Sequence, residues 1–293
     1  MMPDLKIIGV ASGRGAQDQR CADGPEALRS AGLLARLHAA GVSAVWQETL
    51  FPAASGTPSE IVSKLCTRLA GKVDALCNQR DFPVVLGGDH SCAIGTWSGV
   101  FRAIQSRGAL GLIWLDAHMD SHTPETSPSG ALHGMPLACL LGYGLPELTG
   151  IAGCTPAILP QHLCLIGVRS YEAGEMLLLR QLGVRIFFMD EVRERGLAAV
   201  MADALEIVQR GTAGFGISID LDVLEPCEDP GVGSPAAGGV LGFELMRALK
   251  QVQGHPLLLG MEIVEYNPSL DRNQITAQSA MGLLEAAFAS DSI

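Results

Sequence analysis

Leu110 to Asp120 reads LGLIWLDAHMD, an apolar run that ends in two aspartates and a histidine. A short continuous apolar run is the pattern of a strand buried on both faces, as in parallel sheets, and polar residues that follow it emerge at the carboxyl edge. The same design recurs where AGFGI runs into SIDLDVLEP, Ser218 to Pro226. A third acid-and-histidine run, GGDHS, spans Gly87 to Ser91 behind the apolar segment Pro83 to Leu86. A buried carboxylate needs a partner, so three such runs at successive strand ends point to a shared cation site rather than to three unrelated caps.

Working outward from Leu110, further strand candidates are Lys6 to Ala11, Ala44 to Glu48, Leu163 to Val168, Arg185 to Met189, Phe215 to Ile219 and Leu257 to Met261. Helical patterns lie between most of them: Pro25 to Ala40, Ser59 to Asn78, Leu197 to Gln209 and Phe243 to Val252. This alternation predicts an α/β fold with a parallel sheet covered on both faces, whose site lies outside the carboxyl ends of the strands. Ser121 to His133, rich in Thr, Pro, Ser and Gly, reads as a functional loop that enters a helix near Gly134. Gly87 and Gly88 read as positions where backbone passes close beneath the site.

Apolar residues make up 48% of the 293 and charged residues 17%, with no Pro/Ser tract or charge run to divide the chain, so one domain over 1–293 is expected. The net charge of −11 argues against an extensive nucleic-acid surface and suits a small cationic substrate such as a guanidinium or amine. No apolar run approaches the ~20 residues of a membrane span, and the opening MMPDLKIIGVASGRG reads as a first strand rather than a leader. The eight cysteines form no CxxC pair, which fits a reducing, cytoplasmic setting.

If the acid runs continue as extended chain, Asp116, His118 and Asp120 share a face, as do Asp220 and Asp222. With His90 they supply four carboxylates and two imidazoles, a mixed N/O set suited to a pair of Mn²⁺ ions, with Zn²⁺, Co²⁺ and Ni²⁺ as alternatives. Asp89 reads as an acid that orients the turn or a neighbouring histidine, and His38, His162 and His255 as packing or surface residues.

The ordered set GGDHS, DAHMD, LHGMP, IGVRS, SIDLDVLEP and GMEIVEYNPSLD, with the opening GAQDQRCADGPEALRSAGLL, resembles the ureohydrolase family of arginases and agmatinases over nearly the whole chain. The resemblance implies a three-layer α/β/α fold around about eight parallel strands. It also implies two Mn²⁺ per chain, one held by His90, Asp116, Asp120 and Asp220, the other by Asp116, His118, Asp220 and Asp222. The family chemistry is attack by a bridging hydroxide on a guanidinium carbon, with Asp120 passing a proton to the leaving nitrogen and Glu265 pairing with the guanidinium. His133 matches a family histidine assigned to proton shuttling or substrate contact, and Ser234 a hydroxyl near the substrate; read alone, they suit loop packing and a turn. Family members assemble as trimers or hexamers, so a homo-oligomer is expected.

Two positions depart from the arginase pattern. His122 stands where arginases carry an Asn that recognises the α-carboxylate, while Ser127 and Ser129 keep hydroxyls in the same loop. After IGVR the chain reads Ser170, Tyr171, Glu172, so one of two acids is lost and Glu172 either receives an ammonium or caps a helix. Hydrolysis of L-arginine to L-ornithine and urea is the expected reaction. Agmatine or another guanidino compound, a formimidoyl compound, or a non-catalytic metal-binding role are the alternatives.

Overall fold

The computed structural model describes residues 4–290; Met1 to Pro3, which open the first expected strand, lie outside the described residues. All eight expected apolar runs form strands: β1 Leu5–Val10, β2 Ala44–Leu50, β3 Phe82–Gly87, β4 Ala109–Leu115, β5 Leu163–Val168, β6 Arg185–Phe188, β7 Thr212–Asp220 and β8 Leu258–Val264. They make one parallel sheet in the order β2-β1-β3-β8-β7-β4-β5-β6.

Side-chain alternation divides the apolar residues of each strand between two cores. Ile113 and Leu115 of β4 join Ile217 and Ile219 of β7 on one face, packed with Val200, Met201, Leu245 and Leu284 from helices. Leu112 and Trp114 join Leu65, Leu69, Trp97 and Val100 on the other. Burial on both faces is why these strands are nearly unbroken apolar runs.

The order has one consequence for function. The chain leaves β3, skips two places to lay down β4, and later fills the gap with β7 and β8. The carboxyl ends of β3, β8, β7 and β4 therefore stand side by side at a reversal of strand order, where open α/β sheets form their crevices. GGDHS, VEYNP, DLD and DAHMD follow those four strands. Pairing of Leu115 with Ile219 and of Asp220 with Val264 sets Asp116 beside Asp220, with Glu265 one step beyond.

Two helical expectations need correction. Pro25 to Ala40 is two helices, Gly24–Ser30 and Leu33–Ala39, broken at Gly32, whose φ of 94° lies in the left-handed region. Phe243 to Val252 begins one residue earlier, as helix Gly242–Leu249, and tightens into a 3₁₀ turn at Lys250–Val252. Leu197–Gln209 is helical as expected, and Pro58–Asn78 starts at a capping box between Thr57 and Glu60. The loop after Asp120 enters a 3₁₀ turn at Leu132–Gly134 and then the short helix Pro136–Leu140. No helix among the described residues is long and apolar enough to cross a membrane.

Gly88 meets the backbone as expected: a Cβ there would lie 2.1 Å from the Ser12 carbonyl oxygen, a main-chain atom with no rotamer to change. Gly88→Ala is expected to destabilise the protein by at least about 2 kcal/mol through forced backbone movement. Chemical denaturation reads this directly, and an unchanged midpoint would contradict the packing described.

Candidate metal centre

The acid runs converge, but not as extended chain. β4 stops at Leu115, Asp220 is the last residue of β7, and both His90–Cys92 and Leu221–Val223 are 3₁₀ turns. Each run instead folds around its own aspartate: Asp116 Oδ1 accepts the His118 N–H at 2.6 Å, Asp220 Oδ1 that of Asp222 at 2.9 Å, and Asp89 Oδ1 that of Ser91 at 3.0 Å. This Asx turn, an intrinsic habit of aspartate, aims the i and i+2 side chains into one space.

His90 Nδ1 faces three carboxylate oxygens, from Asp116 at 3.4 Å, Asp120 at 3.1 Å and Asp220 at 3.1 Å. His118 Nδ1 lies 3.5 Å from the other oxygen of Asp116 and 2.9 Å from Asp222. Two groups result, His90–Asp116–Asp120–Asp220 and Asp116–His118–Asp222, with Asp116 common to both. Asp220 belongs to the first group alone; its Oδ2 faces His90 while its Oδ1 is engaged by the Asp222 N–H. Asp89, His38, His162 and His255 are in neither.

The donor set fits a pair of cations. Ser218 Oγ donates to Glu262 at 2.8 Å, so the same oxygen, 3.0 Å from His90 Nε2, accepts that ring's N–H. Nδ1 then faces three carboxylates, which hold a proton on the ring against the cost of burial, and a metal ion among them would take that proton's place. Burial and the charge of Asp116 push Asp120 up to about 6; burial, Asp222 and Asp116 push Asp220 well above the usual range. Burial opposes charge on His118, yet Asp222 and Asp116 raise it.

Glu265 joins this centre from β8. Its N–H donates to Gly88 O at 2.7 Å, and its Oε1 accepts the His90 N–H at 2.9 Å and lies 3.0 Å from His133 Nδ1. Although burial lowers it, the hydrogen bond and charge of Glu265 lift His133 to about 10. Glu265 and Asp120 hold positive φ of 65° and 48°, which costs on the order of 1–3 kcal/mol each and is kept where a site demands it.

Above the centre lies a cavity of about 180 Å³. Its walls bring together Asp120, His122, Ser127, Ser129, His133, Glu172, Ser234 and Glu265, all the residues expected to act on substrate, and add Glu175. Ser127 and Ser129 sit in the loop's own turns, accepting N–H groups of Gly130 and Ala131. Glu172 is also the N-cap of helix Ala173–Leu182, its N–H held by the Glu175 carboxylate, so its expected role as a helix cap is realised.

A description of the arginase family matches residues 3–289. The chain belongs to the arginase family. It is 40% identical to arginase of Bacillus caldovelox and 39% identical to arginase of Brevibacillus brevis, covering 98% of each chain in both comparisons. Its fold superposes on the crystal structure of arginase from Bacillus subtilis with a TM-score of 0.92 at 34% identity, covering 99% of this chain and 100% of that one.

Several parts of this arginase-family site escape sequence reading. Trp114 stacks on His90 with ring centroids 4.1 Å apart and donates Nε1–H to Asp116 Oδ2 at 2.9 Å. Glu262 is fully buried and receives Ser218 Oγ and Thr96 Oγ1; a carboxylate inside the strand run LLGMEIV was the signal for it. Ser218→Ala removes the acceptor that fixes the His90 tautomer, and is expected to weaken metal affinity by about 10–100-fold. Metal titration of the stripped protein measures the change; native affinity in the variant would detach Ser218 from the centre.

Proposed function

We propose that this chain is a binuclear manganese amidinohydrolase that converts L-arginine to L-ornithine and urea. The observation that carries the reading is the pair of side-chain groups joined at Asp116 beneath a polar cavity, in a chain with arginase relatives along 98% of its length. His90, Asp116, Asp120 and Asp220 would hold one ion and Asp116, His118 and Asp222 the other, to which the family pattern adds Asp220. When bound, the ions supply Lewis acidity that brings the pKa of water to about 7.

The chain's own residues supply position and proton traffic. The Glu265 carboxylate, fixed by the His90 N–H and by His133, matches the planar fork of a guanidinium and orients its carbon toward the centre. Asp120 belongs to the donor group and also lines the cavity, so its carboxylate is placed to take a proton and pass it to the leaving nitrogen. His133 stands between Glu265 and the cavity as a proton carrier or substrate contact. The hydroxyls of Ser127, Ser129 and Ser234, with His122 and Glu172, line the part of the cavity that would receive the amino-acid end.

One observation favours a second reading. Two carboxylates, Glu172 and Glu175, share the cavity with His122, which replaces the arginase Asn, so a guanidino amine such as agmatine is the runner-up. Urea release from arginine, agmatine and 4-guanidinobutyrate, measured in parallel on manganese-loaded protein, separates them. Arginine is expected to give the highest kcat/KM; turnover of agmatine without arginine would reject the assignment.

A further inference from the structure

We propose that His122, Glu172 and Glu175 form a third divalent-cation site, of the kind zinc occupies, at the outer end of the substrate cavity. The proposal rests on the reading of that cavity as the substrate site but not on which guanidino compound enters it. His122 Nε2 lies 3.0 Å from Glu172 Oε2 and 3.4 Å from Glu175 Oε2, and all three donor atoms lie within 4.8 Å of one another. A tetrahedral ion with bonds of about 2.0–2.2 Å sets its donors roughly 3.3–3.6 Å apart, so the groups need little movement to close on one.

The neighbours orient these three groups toward one another. Thr126 Oγ1 accepts the Thr123 N–H and holds His122 Nδ1 at 3.1 Å, which turns Nε2 toward the two carboxylates. Nε2 faces both carboxylates, and a divalent cation among the three would take the place of the proton they share. Glu175 is buried and held rigidly, its Oε1 by the Ser121 N–H at 3.2 Å and its Oε2 by the Glu172 N–H at 3.0 Å, each leaving a lone pair. The Ser121 hydroxyl beside it is buried without a hydrogen-bond partner. Glu172 is the exposed arm that completes the set.

Site and substrate would then exclude one another. The three residues line the same 180 Å³ cavity as Asp120 and Glu265, so an ion held there occupies the space of the substrate's distal end and raises KM while leaving kcat unchanged. Imidazole with two carboxylates suits Zn²⁺, Co²⁺ or Ni²⁺ more than Mg²⁺ or Ca²⁺, which prefer all-oxygen shells.

The test is equilibrium dialysis of manganese-loaded protein against Zn²⁺, with elemental analysis, alongside kinetics. The expected result is about three ions per chain, two manganese and one zinc, with KM rising several-fold. His122→Asn and Glu172→Gln should each lose the zinc equivalent, keep the manganese, and lose the KM effect; the exposed Glu172 provides a variant with little folding risk. Two ions in total, with zinc replacing manganese, would overturn the proposal, as would a zinc equivalent that survives in both variants. A chain that takes one zinc and no manganese would keep this site and refute the inner pair.

Discussion

Asp116→Ala is expected to lose both inner metal ions and to reduce urea formation by at least about 10³-fold. Among the described residues Asp116 alone is common to the two groups of donors: its Oδ2 faces His90 and its Oδ1 faces His118. Removing it leaves each imidazole without a shared carboxylate and frees the Trp114 Nε1–H and the His118 N–H that it accepts. Asp222→Ala supplies the contrast, because Asp222 belongs to the His118 group alone, and it should lose one ion and retain the other. Metal analysis after dialysis, paired with a urea assay, reads both variants. If Asp116→Ala keeps two ions and its full rate, the shared-carboxylate arrangement is wrong.

Glu265→Gln should behave oppositely, keeping both metals while kcat/KM falls by about 10²-fold or more. The amide oxygen of glutamine can still accept the His90 N–H and face His133, the two contacts that anchor Glu265, so the loops around β3 and β8 stay in place. What disappears is the negative charge that meets a guanidinium, and charged hydrogen bonds are about twice as strong as neutral ones. The split between retained metal and lost turnover distinguishes a residue that orients substrate from one that holds metal. Wild-type kcat/KM in this variant would move guanidinium recognition elsewhere.

The fold was legible because a strand buried on both faces is mostly apolar until it ends; LGLIWL before Asp116 advertised both the strand and its edge, and GFGI advertised the strand that ends at Asp220. The membership of the site was legible for the same reason, since acids at buried ends require partners. How the acids meet was not. Alternation along a strand puts Asp116, His118 and Asp120 on one face, whereas the chain bends at once around the Asp116 carboxylate and reaches Asp120 with φ of 48°. Aspartate and glutamate carry no mark that separates an extended residue from one held left-handed, so Asp120 and Glu265 gave no warning. Glu262 carried a signal, an acid inside an apolar strand, but none that named Ser218 and Thr96 as its partners, and the break in the first helical pattern at Gly32 was masked by the leucines on either side of it.

Two adjacent cations held by six side chains are the centre of the proposed chemistry. Anomalous scattering from a crystal of the manganese-loaded protein locates them. Two peaks about 3.5–4 Å apart, one bonded by His90 and Asp120, the other by His118 and Asp222, with Asp116 reaching both, is the expected result. A single peak, or manganese bound away from these residues, would contradict it.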